Sequence, residues 1–355
     1  MKSWDAIIIG GGIIGISIAL ALRGRGLRVL VVDRGQLGRE ASHAAGGMLA
    51  DCLLETRPAL QPLATASARM YPEYVHRLED ESGTRIDLRE NGTILFPSAE
   101  QAQDSTLVGK YPLPAPLANL DPNLATRDSG ALFLQERSVD PRALMAAAIQ
   151  AAKHREIDTS AGDAATRIEV QHGRVTGVTT TKTSFAAPVV VNCAGAWACQ
   201  LDDHSFPTRP VKGQMLAVAA EKNLLRHVVR APEAYIIPRS DGRIVIGATV
   251  EEAGYDKRTD PSTIQRLLHA AIRLVPKLAN AKILEDWAGL RPGTPDGLPI
   301  LGATGIEGYF VATGHFRDGI LLAPVTARLV SQLLCGENPD CNLAPFSPLR
   351  FTTDP

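Results

Sequence analysis

Asp5-Ala-Ile-Ile-Ile-Gly-Gly-Gly-Ile-Ile-Gly15, read on to Asp33, is the stretch that decides the fold. Ala6 to Ile9 form a short apolar run of the kind a buried parallel strand requires. Gly10, Gly12 and Gly15 follow with G-x-G-x-x-G spacing, and Ile16 to Leu22 continue as an apolar helix. Arg28-Val-Leu-Val-Val-Asp33 is a second strand that ends in an acid, near the ~20-residue offset at which this fingerprint places its carboxylate. Gly10 admits a tight turn, Gly12 lets backbone approach a pyrophosphate, and Gly15 lets helix and strand pack closely. The helix start offers N–H groups and a positive dipole end to phosphates. Strand, glycines, helix, strand and acid in this order predict a dinucleotide site on Gly10, Gly12, Ile13, Ile14, Gly15, Asp33 and Arg34.

Outward from that motif, the bulk properties set limits. A chain of 355 residues exceeds what one core usually holds, so two domains are expected. Net charge is −1, which gives no field to draw in nucleic acid or an anionic membrane. The five cysteines have no zinc-like spacing and read as reduced thiols of a cytoplasmic protein, with no metal site. The first apolar segment carries the phosphate glycines and reads as neither signal peptide nor anchor. No run of about 18 apolar residues is present to span a membrane.

After Asp33, residues 34–50 are rich in small side chains, which suits backbone lying against a bulky ligand. Leu60 to Ser82 read as a helix, Thr93 to Phe96 and Gly130 to Leu134 as strands. Asp140-Pro141 and Asp260-Pro261 read as N-cap and first residue of two further helices. His172-Gly173 reads as a hairpin turn. Pro188 to Trp197 reads as a buried strand meeting a glycine turn, returning to the dinucleotide sheet. Residues 208–250 are strand-rich, and a last helix is expected from Pro324 to Leu334. The expected architecture is α/β (α+β overall). A discontinuous Rossmann-type domain (1–85, 137–205 and 285–355) carries an inserted, mostly antiparallel substrate domain (86–136 and 206–284).

A single fingerprint fits either a nicotinamide dehydrogenase or a flavoprotein that takes electrons directly from its substrate. Ser42-His-Ala-Ala-Gly-Gly-Met-Leu, Pro210-Val-Lys-Gly-Gln, Tyr235-Ile-Ile-Pro-Arg239, Gly247-Ala-Thr, Trp287-Ala-Gly-Leu-Arg-Pro-Gly-Thr and Gly314-His-Phe-Arg-Asp-Gly-Ile-Leu-Leu-Ala-Pro324 resemble the glycine oxidase group of the D-amino acid oxidase superfamily. The resemblance runs nearly end to end and implies FAD. It implies oxidation of glycine, sarcosine or a small D-amino acid to an imine, with hydride passing to the flavin and oxygen giving hydrogen peroxide. A role in thiamine biosynthesis and a homo-oligomer, dimer or tetramer, are implied with it. Related chains pass electrons to a carrier instead, or serve as the FAD subunit of a heteromeric sarcosine oxidase, and both alternatives remain open.

By the same resemblance Arg291 is the carboxylate-binding guanidinium, Tyr235 adds a hydroxyl contact, and Arg317 is a second arginine near flavin and substrate. Met48 lies near the substrate pocket. Flavin contacts are expected from Ser42, His43, Ala44, Ala45, Gly46, Gly47 and Met48, and from Cys193, Ala194, Gly195 and Trp197. Gly289 and Arg291, and the block His315, Phe316, Arg317, Asp318, Gly319, Ile320 and Leu321, complete the set. That last block is expected to precede a helix whose dipole faces the flavin. Glycine oxidases bind FAD noncovalently, whereas related dehydrogenases of methylated glycines attach it through a histidine in a context similar to that of His43. Glu233 stands where a relative has histidine, and an acid there favours a secondary or cationic amine. Lys212 and Gln214 receive no catalytic role.

Overall fold

The computed structural model describes residues 3–52, 54, 56–125, 130–201 and 206–351. Its first layer is a six-stranded sheet ordered Ile300–Ala303, Tyr309–Thr313, Val190–Asn192, Ala6–Ile9, Val29–Asp33, Asp158–Ala161. The five strands from Tyr309–Thr313 to Asp158–Ala161 run parallel, and Ile300–Ala303 is the antiparallel edge. Ala6–Ile9 is buried throughout because it lies between neighbours on both sides and layers on both faces. Helices Ile13–Gly24, Gln61–Ser82, Pro141–His154 and Gly319–Leu334 cover one face and share one core with it. The three-stranded antiparallel sheet Ala165–Gln171, Arg174–Thr180, Ser184–Ala186 packs on the other. Its hairpin turns at His172 and Gly173, both with positive φ.

The second layer is a seven-stranded sheet ordered Lys282–Gly293, Arg209–Ala219, Arg243–Gly247, Ala234–Pro238, Val228–Ala231, Thr93–Leu95, Leu132–Leu134. All its pairings are antiparallel except that between Val228–Ala231 and Thr93–Leu95. Alternation sorts its faces. Leu216, Val218, Ile236, Ile244 and Ile246 pack on the helix Pro261–Leu274, and the residues between them face the other way. Strand Lys282–Gly293 stays paired with Arg209–Ala219 along its length, so the expected boundary at 284/285 falls inside a strand. The Trp287-to-Arg291 motif therefore belongs to this sheet.

Both expected caps form. Asp140 accepts from the Arg142 N–H at 2.9 Å, and Asp260 from the Thr263 N–H at 2.9 Å. The last helix differs from expectation. It begins at Gly319, and Pro324 lies inside it. A proline there removes the bond to the Ile320 carbonyl and crowds the preceding turn. Two side chains of the helix Gln61–Ser82 repair the gap. The Tyr71 hydroxyl donates to the Ile320 carbonyl. Ser67 donates to the Leu321 carbonyl at 2.6 Å and accepts from the Val325 N–H at 3.3 Å. The helix thus starts five residues earlier, at the edge of the cavity described below.

Tyr71 is fully buried, so its hydroxyl answers a carbonyl that water cannot reach. Tyr71→Phe is expected to lower unfolding free energy by about 1–3 kcal/mol, the penalty of an unsatisfied buried acceptor. A urea midpoint equal to that of the parent chain would contradict this repair.

Candidate active site

Between the two sheets lies a cavity of 1180 Å³, more than a small ligand alone requires. Its floor is the dinucleotide motif. Gly10 has φ +105°, and a Cβ there would fall 2.3 Å from the Cys193 carbonyl oxygen. A Cβ on Gly15 would fall 2.0 Å from the Gly10 carbonyl. Turn and helix therefore close only on glycine, at the ends of two adjacent parallel strands. Asp33 is already half engaged: Oδ2 accepts from the Gly11 N–H and Oδ1 from the Gly35 N–H, both at 2.7 Å. Each oxygen keeps a lone pair for a ribose hydroxyl. The Ser42 hydroxyl accepts from the Ile13 N–H at 2.9 Å, tying the residue 41–47 segment to the helix start. At the far end the Arg34 guanidinium lies 4.6 Å above the Trp197 ring, which stacks on Tyr255.

The opposite wall is the inner face of the seven-stranded sheet. Register places Tyr235, Gly247, Met215 and Trp287 in one row across four strands. Arg291 follows on the same face as Trp287, four residues along the strand. Two glycines make room on this face. A Cβ on Gly213 would fall 2.4 Å from the Arg291 guanidinium, and one on Gly247 2.6 Å from the Tyr235 ring. Strand glycines often mark such close approaches. The arginine and the ring therefore lie flat along the sheet. Gly289 serves the opposite wall: its Cβ would fall 2.4 Å from that of Ala44. Trp287 Nε1 donates to the Ala44 carbonyl at 3.1 Å.

Arg291 Nη1 donates to the Thr249 carbonyl at 3.0 Å and more weakly to that of Lys212 at 3.4 Å. No carboxylate forms an ion pair with Arg291 or Arg317 among the described residues. Burial disfavours the Arg291 charge, the like charge of Arg317 adds to that, and Tyr235 and Glu251 oppose it. Burial also raises the Tyr235 hydroxyl, and Arg291 pulls it part of the way back. A carboxylate placed here would favour the Arg291 charge and accept a hydrogen bond from the neutral Tyr235 hydroxyl. Behind Arg291, Glu251 gathers the Thr249 hydroxyl, the Gln214 amide at 2.9 Å and the buried Lys212 ammonium at 3.9 Å. Gln214 in turn accepts from the Asp260 N–H at 2.7 Å. Lys212 and Gln214 thus support the strands that carry the guanidinium.

Tyr235, Arg291, Arg317 and Met48 all line this one cavity. So do Gly10, Gly12, Ile13, Ile14, Asp33, Arg34, Ser42, the run Ala44 to Gly47, Cys193 to Gly195, Trp197, Gly289 and the run His315 to Ile320. Three expected residues do not. Gly15 lies beneath Gly10. Leu321 is buried in the helix core. His43 does not line the cavity; burial, followed by the nearby charges of Arg142 and Arg39, lowers its pKa. Arg142 also bridges Glu285 and lies 4.6 Å over the Trp287 ring. Sequence reading passed over Gly213, Met215, Thr249 and Glu251. The glycines inside strands 209–219 and 243–247 were the available signal. His315 is buried, with Nε2 3.1 Å from the Thr326 hydroxyl, and burial lowers its pKa to about 3.

The residues present fit FAD: a glycine cradle at strand ends, an acid for ribose, and an adjoining wall of small residues that would accept a flat ring. The family profile described as "FAD dependent oxidoreductase" matches residues 5–333. The chain is 38% identical to the bifunctional protein ThiO/ThiG of Synechocystis sp., over 98% of this chain and 54% of that one. It therefore spans about half the length of such bifunctional relatives. It is 32% identical to the glycine oxidase of Pseudomonas putida, covering 98% of both chains. The crystal structure of glycine oxidase from Geobacillus kaustophilus superimposes with a TM-score of 0.93 at 34% identity, covering 99% of this chain and 100% of that one.

Two outcomes are expected from this geometry. A Cβ on Gly319 meets no protein atom nearer than 3.6 Å, so Gly319→Val acts on the cavity's contents more than on packing. It should lower bound flavin, read from visible absorbance, while the melting temperature of the flavin-free chain stays within a few degrees; full flavin occupancy would contradict the site. His315 titrates near 3 when folded and near 6.5 when unfolded, so the unfolded chain binds the extra proton between those values. Its contribution to stability is then complete above pH 6.5 and is lost as pH falls toward 3. His315→Gln should flatten that part of the stability–pH curve, measured by denaturant titration.

Proposed function

The chain belongs to the FAD-dependent oxidoreductase family, and from that premise we propose that it oxidises glycine, sarcosine or a small D-amino acid to the imine, which water hydrolyses. FAD, when bound, supplies the hydride acceptor and is returned to its oxidised form by oxygen with release of hydrogen peroxide. One observation carries the substrate class: a half-buried guanidinium, Arg291, without an acid partner among the described residues, on the wall of the cavity that the dinucleotide motif opens. A guanidinium binds both oxygens of a carboxylate through parallel hydrogen bonds, which fixes orientation as well as charge. The Tyr235 hydroxyl, now 3.5 Å from the Met215 sulfur, is within reach of the same acid group. Arg317 lines the same cavity and adds positive potential near Arg291 and Tyr235.

Immediately around Tyr235 the wall is apolar, with Met48, Met215 and Gly46 beside it. Such surroundings favour the neutral amine, the form from which hydride leaves. His315 is a poor base, because burial disfavours the imidazolium it would become on taking a proton and its Nε2 is engaged with Thr326. Removal of the α-hydrogen then rests on orientation: the carboxylate held at Arg291 and Tyr235, the Cα turned toward the wall of residues 44–48. Likeness to a ThiO/ThiG protein supports a place in thiamine biosynthesis for the imine formed here.

Anaerobic mixing of the FAD-loaded chain with glycine, sarcosine, D-alanine and D-proline tests this reading. At least one should bleach the yellow absorbance, and readmitted oxygen should yield one peroxide per amine oxidised. Bleaching without peroxide would make the chain a carrier-linked dehydrogenase, and a preparation that FAD cannot reconstitute would end the proposal. Arg291→Met should retain flavin and raise KM about 100-fold, since a charge-assisted pair contributes about 3 kcal/mol and each 1.4 kcal/mol is tenfold.

A further inference from the structure

Tyr235, Ile237 and Arg239 alternate along the strand Ala234–Pro238 and the residue after it, so they share one face. All three meet the same piece of backbone. A Cβ on Gly46 would lie 2.9 Å from the Ile237 Cδ1 and 3.4 Å from the Tyr235 hydroxyl oxygen. Arg239 Nη2 donates to the Gly46 carbonyl at 2.5 Å, and Nη1 donates to the Val139 carbonyl at 2.9 Å. Val139 returns its own N–H to the Gly47 carbonyl at 2.8 Å. A Cβ on Gly47, at φ +80°, would fall 2.0 Å from the Val139 carbonyl oxygen. The backbone of residues 45–47 is therefore held at two consecutive carbonyls. One is held by a strand and the other by a side chain.

Arg239 is only 5% exposed, with its Nε unpartnered and the charges of Asp140 and Asp87 nearby. An apolar residue would fill this space without desolvating a charge. What the guanidinium alone supplies is a rigid fork that reaches two carbonyls on two different elements.

We propose that Arg239 is a positioning residue whose fork fixes the backbone of residues 45–47 against Tyr235, and so sets the spacing between the carboxylate clamp and the wall that receives the flavin ring. This rests on the function proposed above. A misplacement of about 1 Å in such a site is enough to lower turnover about 100-fold. The substrate's acid group does not touch Arg239, so the effect belongs in kcat rather than KM.

The test uses the FAD-loaded chain in three variants. Arg239→Met keeps length and loses both donors. Arg239→Lys keeps the charge without the fork. Gly46→Ala drives a wedge between the loop and Ile237. Arg239→Met should retain FAD, shift the visible flavin bands and lower kcat at least tenfold, with KM changed less than threefold. Arg239→Lys should recover part of kcat, and Gly46→Ala should reproduce the spectral shift. A lower melting temperature with unchanged bands and kcat would make Arg239 merely structural and overturn the assignment. Should Arg239→Met fail to fold, Arg239→Lys and Gly46→Ala decide in the same way: parental bands and kcat in both overturn it. A parent chain that bleaches with substrate while these variants match it removes this assignment alone. A parent chain that never takes up FAD removes the functional reading with it.

Discussion

The half-buried Arg291 guanidinium is disfavoured by partial loss of water, and the chain offers it two backbone carbonyls and no carboxylate among the described residues. Much of the surrounding architecture follows from accommodating that deficit. Gly213 leaves the space in which the guanidinium lies, and the long pairing of Lys282–Gly293 with Arg209–Ala219 holds its strand still. Glu251 sits one layer behind, engaged with Lys212, Gln214 and Thr249, so it offsets the charge through space without capturing it. A direct ion pair would stabilise the empty chain and compete with a substrate carboxylate. Keeping the acid at one remove leaves the guanidinium's hydrogen-bonding edge for the cavity.

The same wall shows how one sheet serves two purposes. Its outward face buries Leu216, Ile236 and Ile246 on a helix and supplies the packing that fixes the strands. Its inward face carries Tyr235, Met215 and Trp287 in register, with glycine interleaved where a ring or guanidinium must lie flat. A slip of one residue in any pairing would exchange the two sets. The packed face therefore enforces the register of the chemical face, and precision in the site is inherited from the core.

The dinucleotide half was legible because its signals are local. Gly10, Gly15 and Asp33 act within one strand–helix–strand unit, and spacing alone carries their roles. Caps at Asp140 and Asp260 were legible for the same reason. The limits appear where partners are distant in sequence. Pro324 reads as a helix start until Tyr71 and Ser67, some 250 residues away, are seen to supply the bonds it removes. His43 reads as a flavin contact from the motif that holds it, whereas Ser42 and Ala44 on either side line the cavity and His43 does not. Gly213 and Gly247 look like weak points in strands until their cross-strand neighbours are known. The boundary near 285 went astray because a motif's resemblance says what a residue does and not which sheet holds it.

Two arginines of this sheet and its edge, Arg239 buried and Arg291 half-buried, illustrate what sequence type alone leaves undecided. Arg239 and Arg291 are both desolvated, and both donate to carbonyls. Arg239 reaches across to residues 45–47 and Val139, so its fork is taken up by the fold, with Asp140 and Asp87 near enough to balance it. Arg291 commits one nitrogen to Thr249 and Lys212 and faces a like charge at Arg317. The first arrangement has both ends of its fork engaged by the fold, leaving only Nε without a partner. The second does not, and a binding role follows from that difference in partners rather than from burial, charge or residue type.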